Sequence, residues 1–205
     1  IETNKGAINI SLGMSGSFIT AQPQHKQKHE HITITFTNAP ALGYVDPRRF
    51  GSWDVRTTPL QHQADPLNHL SLRKFFASDL FATSARSIKD LLMDQRAVGG
   101  LGNIYVLEAL HHAGVIPTRS ASSLTTIERS ALATVIPKIL ERAIEAGGST
   151  VRTYKRLHGD EGDFQVQHRV YDREGEKCLK RDCQGTIKKI RQGGRGSWFC
   201  SHCQT

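Results

Sequence analysis

All four cysteines of this 205-residue chain lie in its last 28 residues, as Cys178, Cys183, Cys200 and Cys203 in a C-x4-C-x16-C-x2-C spacing. So short a terminal stretch carries too little apolar surface to fold without a staple. Two knuckles that each present two thiolates can close a tetrahedral Zn2+ site. Two disulfides are the alternative, but disulfides belong mainly to exported proteins. The first twenty residues show no basic-then-apolar leader, and no apolar run of about 18 residues appears anywhere. Neither export nor a membrane is indicated, and the cytoplasm is the default compartment. The expected cofactor is therefore one zinc ion in a structural role, because four protein sulfurs leave no position open for a catalytic water. Between the two pairs, "QGTIKKIRQGGRGSWF" is rich in Lys and Arg and places a Gly-Gly turn beside Arg195. Pinned at its base by metal, such a hairpin would push that turn outward as a basic finger. A merely solvated hairpin is the plainer alternative.

The rest of the chain divides by pattern. Up to about Val55, short apolar runs such as "AINISL", "ITITFT" and "LGYVD" are separated by Gly, Pro and Asn, as in β-strands. "TTPLQHQADPLNHL" is polar and proline-bearing and has the character of a linker. Helical periodicity follows in "SLRKFFASDLFA" and in "SIKDLLMDQRAV", where Ser87 and Asp90 occupy capping-box positions. It returns in "TTIERSALATVIPKILERAIEAGG", where Thr125 can cap with Glu128. Leu132, Val135, Ile136, Ile139, Leu140, Ala143 and Ile144 share one face of that helix, and Gly147 lies where a C-cap glycine would. Pro137 is expected to kink or interrupt it. The fold class is α+β, in three parts: a partial β-sandwich over 1–65, a helical domain over 66–164 and a zinc-finger hairpin over 165–205. The formal net charge of +8 favours polyanionic partners, with attraction that weakens as salt rises.

"VGGLGN", residues 98–103, joins two helical patterns through glycines. It lacks the G-x-G-x-x-G or G-K-[ST] of mononucleotide sites and follows a helix rather than a strand. Asn103 is expected at the N-cap of "IYVLEALHHAG". Glycines that admit close backbone approach, at the positive end of a helix, suit an anion. A tight helix-helix connection with a capping Asn explains the same residues.

"DQRAVGGLGNIYVLEALHHAGVIPTRSA" resembles the helix-two-turn-helix signature of bacterial formamidopyrimidine-DNA glycosylases, through Gln95, Gly100, Gly102-Asn103-Ile104-Tyr105, Glu108, Pro117 and Arg119. "LGMSGSF" and "DPRRFG" resemble that family's β-domain loops, and "FQVQHRVYDREGEKC" with the cysteine hairpin resembles its terminal zinc finger. The resemblance runs through nearly the whole chain in order. It implies a monomeric glycosylase and AP lyase that binds double-stranded DNA containing oxidised bases, especially 8-oxoguanine and formamidopyrimidines, in the cytoplasm of a bacterium and on its nucleoid. It implies base flipping, in which unstacking is offset by wedge side chains.

By that resemblance Met14 fills the vacated space, Arg48 faces the orphaned base and Phe50 wedges between neighbouring bases. Lys89, Asn103 and Arg195 hold phosphates near the lesion, Arg195 also takes part in the δ-elimination as a catalytic residue, and His29 makes a further DNA contact. Arg86 is the nearest match for a phosphate-contacting residue ahead of Lys89. His25, His29 and His31 form a histidine group, for which a metal-binding reading lacks partner carboxylates. The first cysteine pair departs from the family's commoner C-x2-C. The family's N-terminal proline nucleophile, its neighbouring glutamate and a β-domain lysine belong to a segment before "LGMSGSF". With Ile1 in place of an initiator Met and a strand already under way, these residues are expected to be the later portion of a longer protein. Alone they are expected to bind DNA without efficient base excision. The competing class is a non-catalytic nucleic-acid binder with a helix-two-turn-helix and zinc finger.

Overall fold

The computed structural model describes residues 1–13, 15–22, 24–58, 64–149 and 164–205. They divide into two compact units, residues 1–60 with 145–166 and residues 61–144 with 167–205.

The first unit is built from two small antiparallel sheets. One has the order β1 (Glu2–Thr3), β2 (Gly6–Ser11) and β6 (Ser52–Arg56); the other has β3 (Ser17–Thr20), β5 (Leu42–Val45) and β4 (Glu30–Ile34) in the order β3-β5-β4. Their shared core is aromatic. Phe18 of β3, Tyr44 of β5 and Trp53 of β6 meet with ring centroids 5.2 to 6.0 Å apart, and this trio joins one sheet to the other. Aromatic edge-to-face contacts of this kind add to the apolar area they bury.

The second unit carries the helices and the cysteine hairpin. α1 (His69–Phe76) starts at Asn68, whose side chain accepts from the Ser71 N–H, and α2 (Asp79–Ala82) starts at Ser78. The run expected as one helix is thus two. Ser78 caps the second of them, and the break lets Phe75, Phe76 and Phe81 pack as a ring cluster at 5.0 to 5.6 Å. α3 (Ile88–Leu92) is capped by Ser87 as expected, and α4 (Asn103–Ala113) ends on left-handed Gly114. α5 (Thr126–Glu145) opens with the reciprocal Thr125–Glu128 bonds of a capping box. It runs through Pro137 without interruption. The missing N–H costs one bond, and buried Leu132, Ile136, Ile139 and Pro137 itself hold the helix against the core. Ile144, expected on the core face, is exposed. Gly147 has φ +75° just past the helix end. Last come β7 (Ile187–Gln192) and β8 (Arg195–Cys200), paired antiparallel about Gly193-Gly194. Both turn glycines have positive φ, +56° and +76°, the requirement of a two-residue type I′ turn.

Candidate nucleic-acid interface and zinc centre

The glycine turn ahead of α4 is closed by one side chain. Gln95 Oε1 accepts from the Gly100 N–H at 2.7 Å, and Gln95 Nε2 donates to the Leu101 carbonyl at 3.0 Å. Gly100 has φ +79°, a conformation that favours glycine. Gly102, not Asn103, is the N-cap, and no side chain caps this helix end. That corrects the expectation for Asn103: placed one residue inside the helix, its amide is turned toward the hairpin. Asn103 Nδ2 donates to the Gly196 carbonyl at 3.1 Å.

The same carbonyl accepts from Lys89 Nζ at 3.3 Å, while Lys89 also donates to Ser197 Oγ at 2.6 Å. Ser197 Oγ donates on to Gln192 Oε1, and Gln192 Nε2 reaches Ser87 Oγ at 2.7 Å and the Pro117 carbonyl at 3.2 Å. The hairpin tip is therefore bolted to the N-terminal end of α3 and to the first turn of α4, leaving Arg195 exposed beside the joint. Lys89 is only 1% exposed, so it lies beneath the hairpin rather than on the surface. Burial pushes its pKa below the usual lysine value, with nearby Arg195 acting in the same direction and Asp90 opposing. Arg86 is committed elsewhere, to Asp94 Oδ2 at 2.8 Å and to the Asp90 carbonyl at 2.9 Å.

Helix α4 also anchors the stretch leading into the hairpin. The buried Glu108 carboxylate accepts three backbone N–H groups, from Arg169 at 2.9 Å, Val170 at 3.0 Å and Tyr171 at 2.9 Å. Leu107 enters an apolar cluster with Val170, Ile187 and Trp198. Residues 103, 107 and 111 recur at helical spacing on one face, and all three turn toward the hairpin module. Arg119 makes a bidentate pair with Glu128 at 2.6 and 2.7 Å and donates to the Thr205 carbonyl, tying the last residue to α5.

The four sulfurs of Cys178, Cys183, Cys200 and Cys203 all lie within 4.8 Å of one another, and the cysteines are free. Cys178 and Cys203 sulfurs are 3.8 Å apart, and those of Cys183 and Cys200 are 3.6 Å apart. A disulfide needs sulfurs about 2.05 Å apart. A zinc ion bonded at about 2.3 Å to each sulfur of a tetrahedron sets them about 3.8 Å apart, so the geometry fits the metal. The longer C-x4-C knuckle is accommodated by Asp182 in the left-handed region, φ +61°. Backbone N–H groups of Lys180 and Gly185 point at the Cys178 and Cys183 sulfurs, as knuckle amides do for thiolates. Burial pushes the Cys203 thiol up, reinforced by its bonds to Cys200 and Cys178. A divalent cation reverses that preference by stabilising the thiolates. Among the described residues no other group of His, Cys, Asp and Glu is placed to share an ion, His25, His29 and His31 included.

In the first unit, the loop after β5 is organised by Asp46, a residue whose role no periodicity signals. Its Oδ1 accepts from Ser15 Oγ at 2.5 Å, and its Oδ2 accepts from the Gly51 N–H at 2.8 Å and from Tyr44 Oη at 3.1 Å. Ser15 Oγ in turn accepts from the Arg48 N–H at 3.3 Å, so one carboxylate joins the "GMSGS" and "DPRRFG" loops. These bonds, led by Ser15, hold Asp46 at a pKa of about 2. At the loop's tip the Arg48 guanidinium stacks 4.5 Å above the exposed Phe50 ring. His29 is exposed with φ +66°, and its carbonyl accepts from the Asp46 N–H at 3.0 Å. Met14 lies outside the described residues.

A helix-two-turn-helix element bolted to a zinc-finger hairpin defines a class of DNA-binding protein. Three family models match in chain order: the formamidopyrimidine-DNA glycosylase N-terminal domain over residues 1–53, its H2TH domain over 63–155, and the zinc finger found in FPG and IleRS over 175–205. The chain belongs to the formamidopyrimidine-DNA glycosylase family of DNA repair enzymes. It is 42% identical over 212 residues to the formamidopyrimidine-DNA glycosylase of Proteus mirabilis, covering 100% of this chain and 76% of the relative. Among solved structures it is similar to the MutM (FPG) protein of Thermus thermophilus, with a TM-score of 0.82 and 33% identity over 98% of this chain and 76% of that one. It is also similar to a Lactococcus lactis FPG mutant in complex with DNA containing Fapy-dG, with a TM-score of 0.77 and 32% identity over 97% and 74% of the two chains. No helix of the described residues is long and apolar enough to cross a membrane.

Proposed function

We propose that Asn103, Arg195 and the N–H groups at the start of α4, which no side chain caps, form a phosphate grip on duplex DNA, and that the protein uses it to hold an oxidised purine lesion for base excision. The carrying observation is the shared Gly196 carbonyl, which draws the glycine-turn helix and the basic hairpin tip onto one surface. Helix N-terminal N–H groups and an arginine beside them suit phosphate oxygens, and the net charge of +8 adds long-range attraction. Lys89 supports this grip from below, presenting Gly196 and Ser197 rather than reaching past them. Arg195 is the residue available to the δ-elimination. Phe50, with Arg48 stacked on it, is a preformed wedge for an unstacked base step, and His29 adds a further DNA contact. The domain boundaries follow the same reading, with β-domain, helical domain and zinc hairpin over 1–65, 66–164 and 165–205. The zinc ion is structural, held by the four cysteines, and keeps Arg195 in register. The protein acts as a monomer on nucleoid DNA in the bacterial cytoplasm.

The test is a borohydride trap. Protein expressed with its own N terminus is expected to form a covalent adduct with duplex carrying 8-oxoguanine and none with undamaged duplex. Tight lesion binding without any adduct would leave a non-catalytic binder and reject the glycosylase reading.

A further inference from the structure

We propose that His111 donates its Nε2–H to the Cys178 thiolate of the zinc centre, and so sets how firmly the hairpin retains its ion. The proposal rests on the four sulfurs holding zinc, as their spacing indicates. His111 Nε2 lies 3.3 Å from Cys178 Sγ and 4.0 Å from Cys203 Sγ. The imidazole is 1% exposed, so it is shielded from bulk solvent. Its other nitrogen, Nδ1, is buried with no hydrogen-bond partner among the described residues.

Those two facts select one neutral tautomer. With the proton on Nδ1, a buried N–H would have no acceptor and the Nε2 lone pair would face an anionic sulfur. With the proton on Nε2, the N–H meets the thiolate and only an acceptor lone pair is left over at Nδ1. The second arrangement leaves the smaller penalty. Four thiolates around a divalent ion leave two excess negative charges, and an outer N–H draws density from one sulfur. It thereby eases repulsion among the ligands and lowers that sulfur's reactivity toward electrophiles. The donor sits two turns from Asn103 on α4, so the helix that meets the hairpin tip also steadies its metal base.

Three measurements on the full chain test this, and none reads DNA binding or activity, so failure here leaves the proposed function standing. In the zinc-loaded protein, long-range 15N–1H correlation of the His111 ring is expected to show the proton on Nε2; a proton on Nδ1 overturns the proposal. In the Co2+-loaded protein, His111→Phe keeps a buried aromatic ring and is expected to move the sulfur-to-cobalt charge-transfer band to lower energy. Zinc release to a chelator is expected to quicken about tenfold in that variant. His111→Gln, whose amide N–H can reach the same sulfur, is expected to bring both readouts back toward the parent. A band unmoved in His111→Phe, or Gln and Phe variants that behave alike, overturns the assignment. Should His111→Phe fail to fold, the tautomer measured in the unaltered protein decides.

Discussion

The Asn103 side-chain amide donates to the Gly196 carbonyl at 3.1 Å, so two residues 93 positions apart in sequence bring the start of α4 and the tip of the hairpin together. Asn103→Ala removes that tether along with a donor of the proposed phosphate grip. Duplex affinity is expected to fall about tenfold whatever the base opposite the lesion, with the slope of log K against log salt nearly unchanged because a neutral amide displaces no counterion, whereas Arg195→Ala, which removes a cation, is expected to shrink that slope by about one unit. Titrations at several salt concentrations check this; an unchanged affinity in Asn103→Ala would remove Asn103 from the phosphate grip, and an unchanged slope in Arg195→Ala would remove Arg195.

Glu108 holds three consecutive backbone N–H groups with one buried carboxylate. Glu108→Gln keeps the shape but loses the charge, and it aims an amide NH2 at groups that are themselves donors. A loss of about 3 kcal/mol in the stability of the helical and zinc unit is expected, since charge-assisted bonds are worth about 1.5–3 kcal/mol and stranded donors add to the cost. Denaturant unfolding followed by Trp198 fluorescence gives the number. A loss under about 1 kcal/mol would mean that the 169–171 segment is held by its apolar contacts instead.

Asp46 is held at about 2, below the ordinary carboxylate value of about 3.9, chiefly by Ser15 and the Gly51 N–H. Its contribution is fully present above the unfolded-state pKa and is lost as pH falls through the folded one. Asp46→Asn is therefore expected to destabilise the β unit at pH 7, with the gap to the parent closing between about pH 4 and pH 2. Thermal melts across that range test the sign. A gap that widens on acidification contradicts the assignment.

Phe50 is 58% exposed, so Phe50→Ala is expected to change stability by less than about 0.5 kcal/mol. Its effect belongs in recognition: affinity for lesion duplex should fall severalfold while affinity for undamaged duplex holds. Equal losses on both duplexes would make the Arg48–Phe50 stack an ordinary DNA contact rather than a wedge.

Removal of zinc by a strong chelator is expected to unfold the 175–205 region and abolish duplex binding, with both returning on addition of Zn2+. Cys200→Ser should do the same without chelator. The hairpin's circular dichroism and the salt-dependent binding curve serve as readouts, and persistence of both without metal would show that packing of Trp198 and Ile187 suffices.

Local features of this chain were legible before any fold was known. The cysteine spacing, the Gly193-Gly194 turn, the Thr125–Glu128 and Ser87–Asp90 caps and the alternating strands of the first unit each depend on neighbours within a few residues. Backbone geometry and short-range hydrogen bonding suffice to read them. The unbroken run through Pro137 was not legible, because there the packing of Ile136 overrides propensity; the split of α1 from α2 carried a local mark, the Ser78 cap, which the continuous helical pattern obscured.

The convergence itself belonged to tertiary structure. Nothing local to Lys89 shows that it is buried under a hairpin more than 100 residues away, that Glu108 collects amides from 169–171, or that His111 faces a cysteine sulfur. Sequence periodicity states which face of α4 is turned inward. What meets that face depends on how chain closure brings distant segments together, and hydrogen bonds at that range have no signature in the spacing of neighbouring residues.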